Sequence, residues 1–108
     1  MSWCMEDIRI DVGVDTMLQV DLSDINFLGV EAIIFTIKNQ LTSISEAIIE
    51  RRFTEAKIYD LIISAEESRM LQDGAQYDFQ KVLINGIRVK LTENGRIKLQ
   101  RAVGDKID

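Results

Sequence analysis

The sequence predicts an all-β protein, a sandwich of seven or eight antiparallel strands with one short helical turn near residues 65–71. Three observations point there. Apolar and polar residues alternate with period two over much of the chain, the pattern of strands with one buried face. Turn-forming residues recur about every 8 to 12 positions, the spacing of short strands in a sandwich rather than of βαβ units. No proline or low-complexity linker interrupts the 108 residues, so 1–108 reads as a single domain, large enough to bury a core without metal or disulfide support.

Taken in order, Ile8, Ile10 and Val12 alternate with Arg9 and Asp11, and Leu18, Val20 and Leu22 alternate with Gln19 and Asp21. These are two half-buried strands joined through Gly13 to Thr16. "AIIFTIK" places Ile33, Phe35 and Ile37 on one face and Ile34, Thr36 and Lys38 on the other, as a central strand would. Two readings compete for the next segment. Ser43 and Glu46 have capping-box spacing, and Ile49, Phe53 and Ala56 fall on one stripe of a helix from about 44 to 56. Two strands, near 47–53 and 56–63, are preferred because Arg51-Arg52 and Asp60 break that stripe and "KIYDLIIS" is rich in β-formers. Ser64 then caps a short helical turn, with Glu67 reaching back in a capping box.

Gly74 releases the chain into "AQYDFQKVLI", and Asn85-Gly86 and Asn94-Gly95 read as the hairpin turns of a closing meander. A two-residue turn at Asn85-Gly86 would pair Ile84 with Ile87 and Val82 with Val89, which requires a bulge near Gln80 or Lys81 to bring Tyr77 and Phe79 to the same face. A three-residue loop Glu93-Asn94-Gly95, with Gly95 left-handed, would pair Leu91 with Ile97 and Val89 with Leu99. Parity then places Arg88, Lys90, Arg96 and Lys98 together on the outer face.

"LQDGAQYDF" adds a more specific pattern. Asp73, followed by Gly74 and then Tyr77, resembles the tyrosine corner of immunoglobulin-like sandwiches, in which a Tyr at the start of a strand hydrogen-bonds back into the preceding corner. On that resemblance Phe79 stands where an immunoglobulin places its second Cys, and apolar packing against Phe35 replaces the disulfide. The segments "IIFTIK" at 33–38, "ISAEESRMLQDGAQYDF" at 63–79 and "NGIRVKLTENGRIKLQRAVGD" at 85–105 resemble small phage and prophage tail-associated proteins with an immunoglobulin-like fold, similar to the N-terminal domain of siphophage baseplate proteins. That resemblance implies a virion structural or tail-assembly module whose partners are itself or other tail proteins. It also implies synthesis in the bacterial cytoplasm with the virion as destination.

Composition narrows the chemistry. A net charge of −5 speaks against a dedicated nucleic-acid binder, although residues 1–37 carry seven acids against Arg9 alone, while residues 81–106 carry seven bases against Glu93 and Asp105. With no His, the usual hydrolase triads and His-bearing metal sites are absent. Asp11, Asp15, Asp21 and Asp24 lack the spacing of a calcium loop, and adjacent Glu66 and Glu67 cannot face each other across a cleft. No phosphate-binding or dinucleotide fingerprint occurs. The expectation is therefore a non-enzyme without cofactor, metal or small-molecule substrate. No secretory leader pattern and no membrane-length apolar run occurs, so neither Sec export nor insertion is expected. Residues 1–6, with Trp3, read as an N-terminal arm that either lids the sandwich or docks on a neighbour; Trp3, Arg88, Lys90, Arg96 and Lys98 are the candidate interface residues. A soluble carbohydrate- or protein-binding sandwich is the second reading, and an acidic DNA mimic the third.

Overall fold

The structure is a computed structural model that describes residues 6–39, 47–92 and 94–101. The described elements are β1 (Ile8–Val12), β2 (Thr16–Asp21), β3 (Val30–Lys38), β4 (Ile49–Phe53), β5 (Ile58–Ile63), α1 (Ala65–Arg69), β6 (Gln76–Leu83), β7 (Arg88–Lys90) and β8 (Gly95–Arg101). The protein is all-β apart from the single-turn helix. One mixed sheet runs in the order β1-β8-β6-β3-β4, with β7 also paired to β6, and β2 and β5 form a second, two-stranded sheet.

The apolar run of β3 explains its central place. Ala32, Ile33, Ile34, Phe35 and Ile37 are all buried, as in a strand covered on both faces. Its odd-numbered residues meet Ile10 of β1, Ile49 and Phe53 of β4, Leu61 and Ile63 of β5, Tyr77 and Phe79 of β6 and Ile97 of β8 in one hydrophobic cluster, against which Leu18 and Val20 of β2 also pack. Residues 49–53 and 58–63 are strands, as preferred from sequence. The rival helix gives way because β4 pairs with β3 from Ile33↔Phe53 to Ile37↔Ile49; its proposed cap, Ser43 and Glu46, lies outside the described residues.

Three expectations are corrected. The strands are not uniformly antiparallel, since β1 runs parallel to β8 from Ile8↔Ile97 to Val12↔Arg101. The cause lies at the bend after β1. Gly13, left-handed at φ 87°, donates its N–H to Ser68 Oγ at 2.8 Å, and Asp15 Oδ1 accepts the Ala65 N–H at 2.7 Å. The bend is thus tied to α1, and β2 is sent into the other sheet instead of folding back on β1.

The turn at Asn85-Gly86 has three residues, not two. Leu83 N–H bonds Ile87 O, Gly86 N–H bonds Leu83 O, and Gly86 is left-handed at φ 89°. The register is therefore Val82↔Arg88 and Lys81↔Val89, one residue away from the expected pairing. Tyr77, Phe79, Val89 and Leu91 then share parity with no bulge at Gln80 or Lys81. The irregularity falls instead in β3, between Val30 and Ala32.

Asn94-Gly95 does not turn a hairpin. β7 and β8 lie one after the other along β6, against Gln80–Val82 and Gln76–Tyr77 respectively. Gly95 is not left-handed; of the expected loop, Glu93 lies outside the described residues. Its need for glycine is a close approach, because a Cβ there would stand 2.3 Å from Cε1 of Tyr77.

Candidate functional site

The corner between β5 and β6 is built by polar side chains. Ser64 is the N-cap of α1, its Oγ accepting the Glu67 N–H at 3.1 Å while Glu67 Oε1 accepts the Ser64 N–H at 3.0 Å. Arg51 of β4 is on the strand's inward-facing side and would be an unpaired cation there. Its Nη2 donates to both carboxylate oxygens of Glu67, at 2.8 and 2.9 Å, and to Ile62 O at 3.3 Å. Fully buried Ser68 accepts the Gly13 N–H and donates to Ala65 O. These groups are spent on one another, so the corner is structural.

Partial burial pushes the Glu67 carboxyl up, but the Arg51 hydrogen bond, the Ser64 N–H, the Arg51 charge and the Ser64 hydroxyl together hold it below the ordinary value of 4.5. A carboxyl depressed on folding stabilises the protein above its unfolded pKa, and that contribution is lost as pH falls through the folded value. Glu67→Gln is therefore expected to cost about 1 kcal/mol at neutral pH. The gap between the wild-type and variant unfolding curves should close only below pH 4.5; a gap independent of pH would show that the ion pair does not carry it.

The hydrogen bond expected of the tyrosine corner is not made. Tyr77 is buried at the start of β6, but its hydroxyl donates to the backbone carbonyl of Glu6 rather than back into the corner, while Asp73 and Gly74 are exposed. The Tyr is claimed by β1 because β1 lies alongside β8 and brings Glu6 over the ring. Burial raises the Tyr77 pKa, and the charges of Asp7 and Glu6 add to the effect, so the phenol stays a donor. Phe79 meets Phe35 with ring centroids 5.1 Å apart, and the two are directly opposed across β6 and β3.

Arg88, Lys90, Arg96 and Lys98 share the outer face, although they belong to two successive strands along one edge of β6. Lys98 Nζ lies 3.2 Å from Asp7 Oδ2, and Lys90 lies 3.8 Å from Asp78 and donates to Asn94. Part of the charge asymmetry is thus neutralised within the chain. Arg88 and Arg96 have no acidic partner among the described residues. Trp3 lies outside them. The outer sheet face also holds a polar hollow of about 330 Å³ lined by Thr36, Glu50, Gln76, Asp78, Gln80 and Lys90.

Two surfaces escaped the sequence reading. At one end of the molecule the Ile84 N–H bonds Gly29 O, which joins the loop before β3 to the β6–β7 turn. Exposed apolar side chains gather on these two turns and the strand beyond: Leu28 (88% exposed), Ile84 (70%), Ile87 (55%) and Val89 (40%). Val89 has inward parity but stays exposed, since all three residues of β7 are exposed. The second surface is a cleft of about 450 Å³ between β1 and β2, with Leu18, Val20, Phe35, Tyr77 and Phe79 among its lining. Alternation alone identified these apolar residues but could not show which sheet each strand would join.

Among the described residues, no three His, Cys, Asp or Glu side chains gather as a metal site. Asp15 serves α1, and Asp21 accepts from the hydroxyl and N–H of Ser23, which lower its pKa. No described helix is long and apolar enough to cross a membrane. No family model and no curated protein matches the chain.

Proposed function

We propose that this chain is a non-catalytic assembly module that works through protein–protein contacts, in a phage or prophage tail as its sequence pattern implies, and that its two sheets form an immunoglobulin-like sandwich. The strand order supports the fold reading. The run β8-β6-β3-β4 corresponds to the G-F-C-C′ strands of a variable-type domain, and β2-β5 to its B-E pair. The two loops that join at Gly29 and Ile84 then correspond to the B–C and F–G loops, which in that fold are binding loops.

The contact reading is carried by the apolar tip of Leu28, Ile84, Ile87 and Val89. Large apolar side chains clustered at one end of a domain, rimmed by cations, suit a protein partner better than solvent. The test is binding to purified tail proteins, read by light scattering. Association is expected for the wild type and should be lost with Leu28→Glu, an exposed position where folding is not at stake. Absence of association, or binding indifferent to Leu28→Glu, overturns the reading. The polar hollow over β3 and β6 favours a second reading, a carbohydrate-binding module, which saturable binding on a glycan array would promote.

A further inference from the structure

We infer that the β6–β7 tip of one copy seats in the cleft between β1 and β2 of the next, so that the chain self-associates head to tail. This rests on the reading of the tip as a contact surface, and it names the tip's partner as a second copy.

The cleft exists because the first two strands part. β1 joins the large sheet through β8 and β2 joins the small sheet through β5, leaving one edge of each unpaired among the described residues. The bond from Leu22 N–H to Lys57 O, on the β5 side, fixes the phase of β2. Even-numbered residues aim their backbone groups at β5, so Met17, Gln19 and Asp21 present theirs to the open edge. An open edge with aromatic and aliphatic side chains behind it is the acceptor half of a strand-addition site. Glu6, Asp7 and Asp21 line the cleft against Arg9 alone, which makes its charge acidic.

The tip has the complementary character. From Gln80 to Thr92 the chain carries Lys81, Arg88 and Lys90 and no acid. Ile87 and Val89 alternate with Arg88 and Lys90, so an extended tip offers apolar side chains on one side and cations on the other. Among the described residues β7 pairs only with β6, which leaves its other edge for a new ladder. Of these tip cations only Lys90 has an acidic partner among the described residues, which leaves Lys81 and Arg88 for the cleft. Tip and cleft share no residue, so each copy can use both at once. Such a contact is heterologous and builds a ring or filament rather than a closed dimer.

Sedimentation of the full chain over a range of concentration and salt tests this. Wild-type mass should rise past that of a dimer and fall as salt screens the charges. Ile87→Asp should weaken self-association by at least about thirtyfold, the size of an anchor loss at an interface. Asp21→Lys, on the rim of the cleft, should weaken it by at least about tenfold. Both sites are exposed, and unchanged melting temperatures would certify the fold. An equimolar mixture of the two variants should form a dimer that grows no further, because only one sound tip and one sound cleft remain. A wild-type monomer at every concentration, a wild-type mass that stops at two, a variant that associates normally, or a mixture that stays monomeric overturns the inference. If the wild type is monomeric yet binds tail proteins in a Leu28-dependent way, self-docking fails while the assembly function stands; the reverse pattern removes only the tail partners.

Discussion

Phe35→Ala is expected to lower stability by about 3–5 kcal/mol, the largest loss for any single truncation in this chain. Phe35 is almost wholly buried at the centre of β3, with its ring 5.7 Å from that of Tyr77 and 5.1 Å from that of Phe79. Tyr77 and Phe79 are in turn nearly perpendicular, so the three rings form one unit that fills the space between the sheets. Removing the middle ring leaves a cavity that the other two cannot close, because Tyr77 is tethered to Glu6 and Phe79 is held in register opposite position 35. Urea unfolding should show a lower midpoint with an unchanged slope. A loss under about 1.5 kcal/mol, the size of a tolerated core swap, would mean that the rings repack.

Gly95→Ala comes second, with an expected loss of about 1–3 kcal/mol from overpacking. The added methyl would meet Cε1, Cζ and Oη of Tyr77 at 2.3, 2.4 and 2.7 Å, distances no real Cβ keeps. A free tyrosine could swing away, but this one is pinned by its hydroxyl to Glu6 and packed against Phe35 and Phe79. The strain should therefore belong to the pair. In a Tyr77→Ala background the same substitution should cost only a few tenths of a kcal/mol, so a double-mutant cycle of thermal unfolding would read strong coupling. Additive losses would place the demand for glycine in the backbone instead.

The strands were legible in the sequence because each has a buried and an exposed side, and period two survives whatever the partner strand is. Ile8, Ile10 and Val12 announce a strand equally well in a hairpin or beside β8. The helix cap was legible for a similar reason: Ser64 and Glu67 satisfy each other locally. Pairing was harder. At Asn85-Gly86 either loop length places Gly86 left-handed, and the choice turns on Asn85, whose φ is not positive; the shift of one changed every partner in β7. At Gly95 the residue type suggested a turn, whereas the cause was an aromatic ring eighteen positions earlier (95 − 77). The tip and the cleft depend on where sheets end, which no local pattern of residues encodes.

The parallel ladder of β1 and β8 also sets an order of events. Its first pair, Ile8 and Ile97, is separated by 89 positions (97 − 8), so its closure entropy is among the largest in the chain. The β6–β7 pairing, by contrast, closes over a few residues. Contacts of low sequence separation form first and long-range ladders last, so the hairpin reaches its native shape before β1 finds a place. During synthesis β1, preceded by the acids Glu6 and Asp7, waits until the basic β8 has left the ribosome. The attraction between Asp7 and Lys98 then favours that last, slowest docking step.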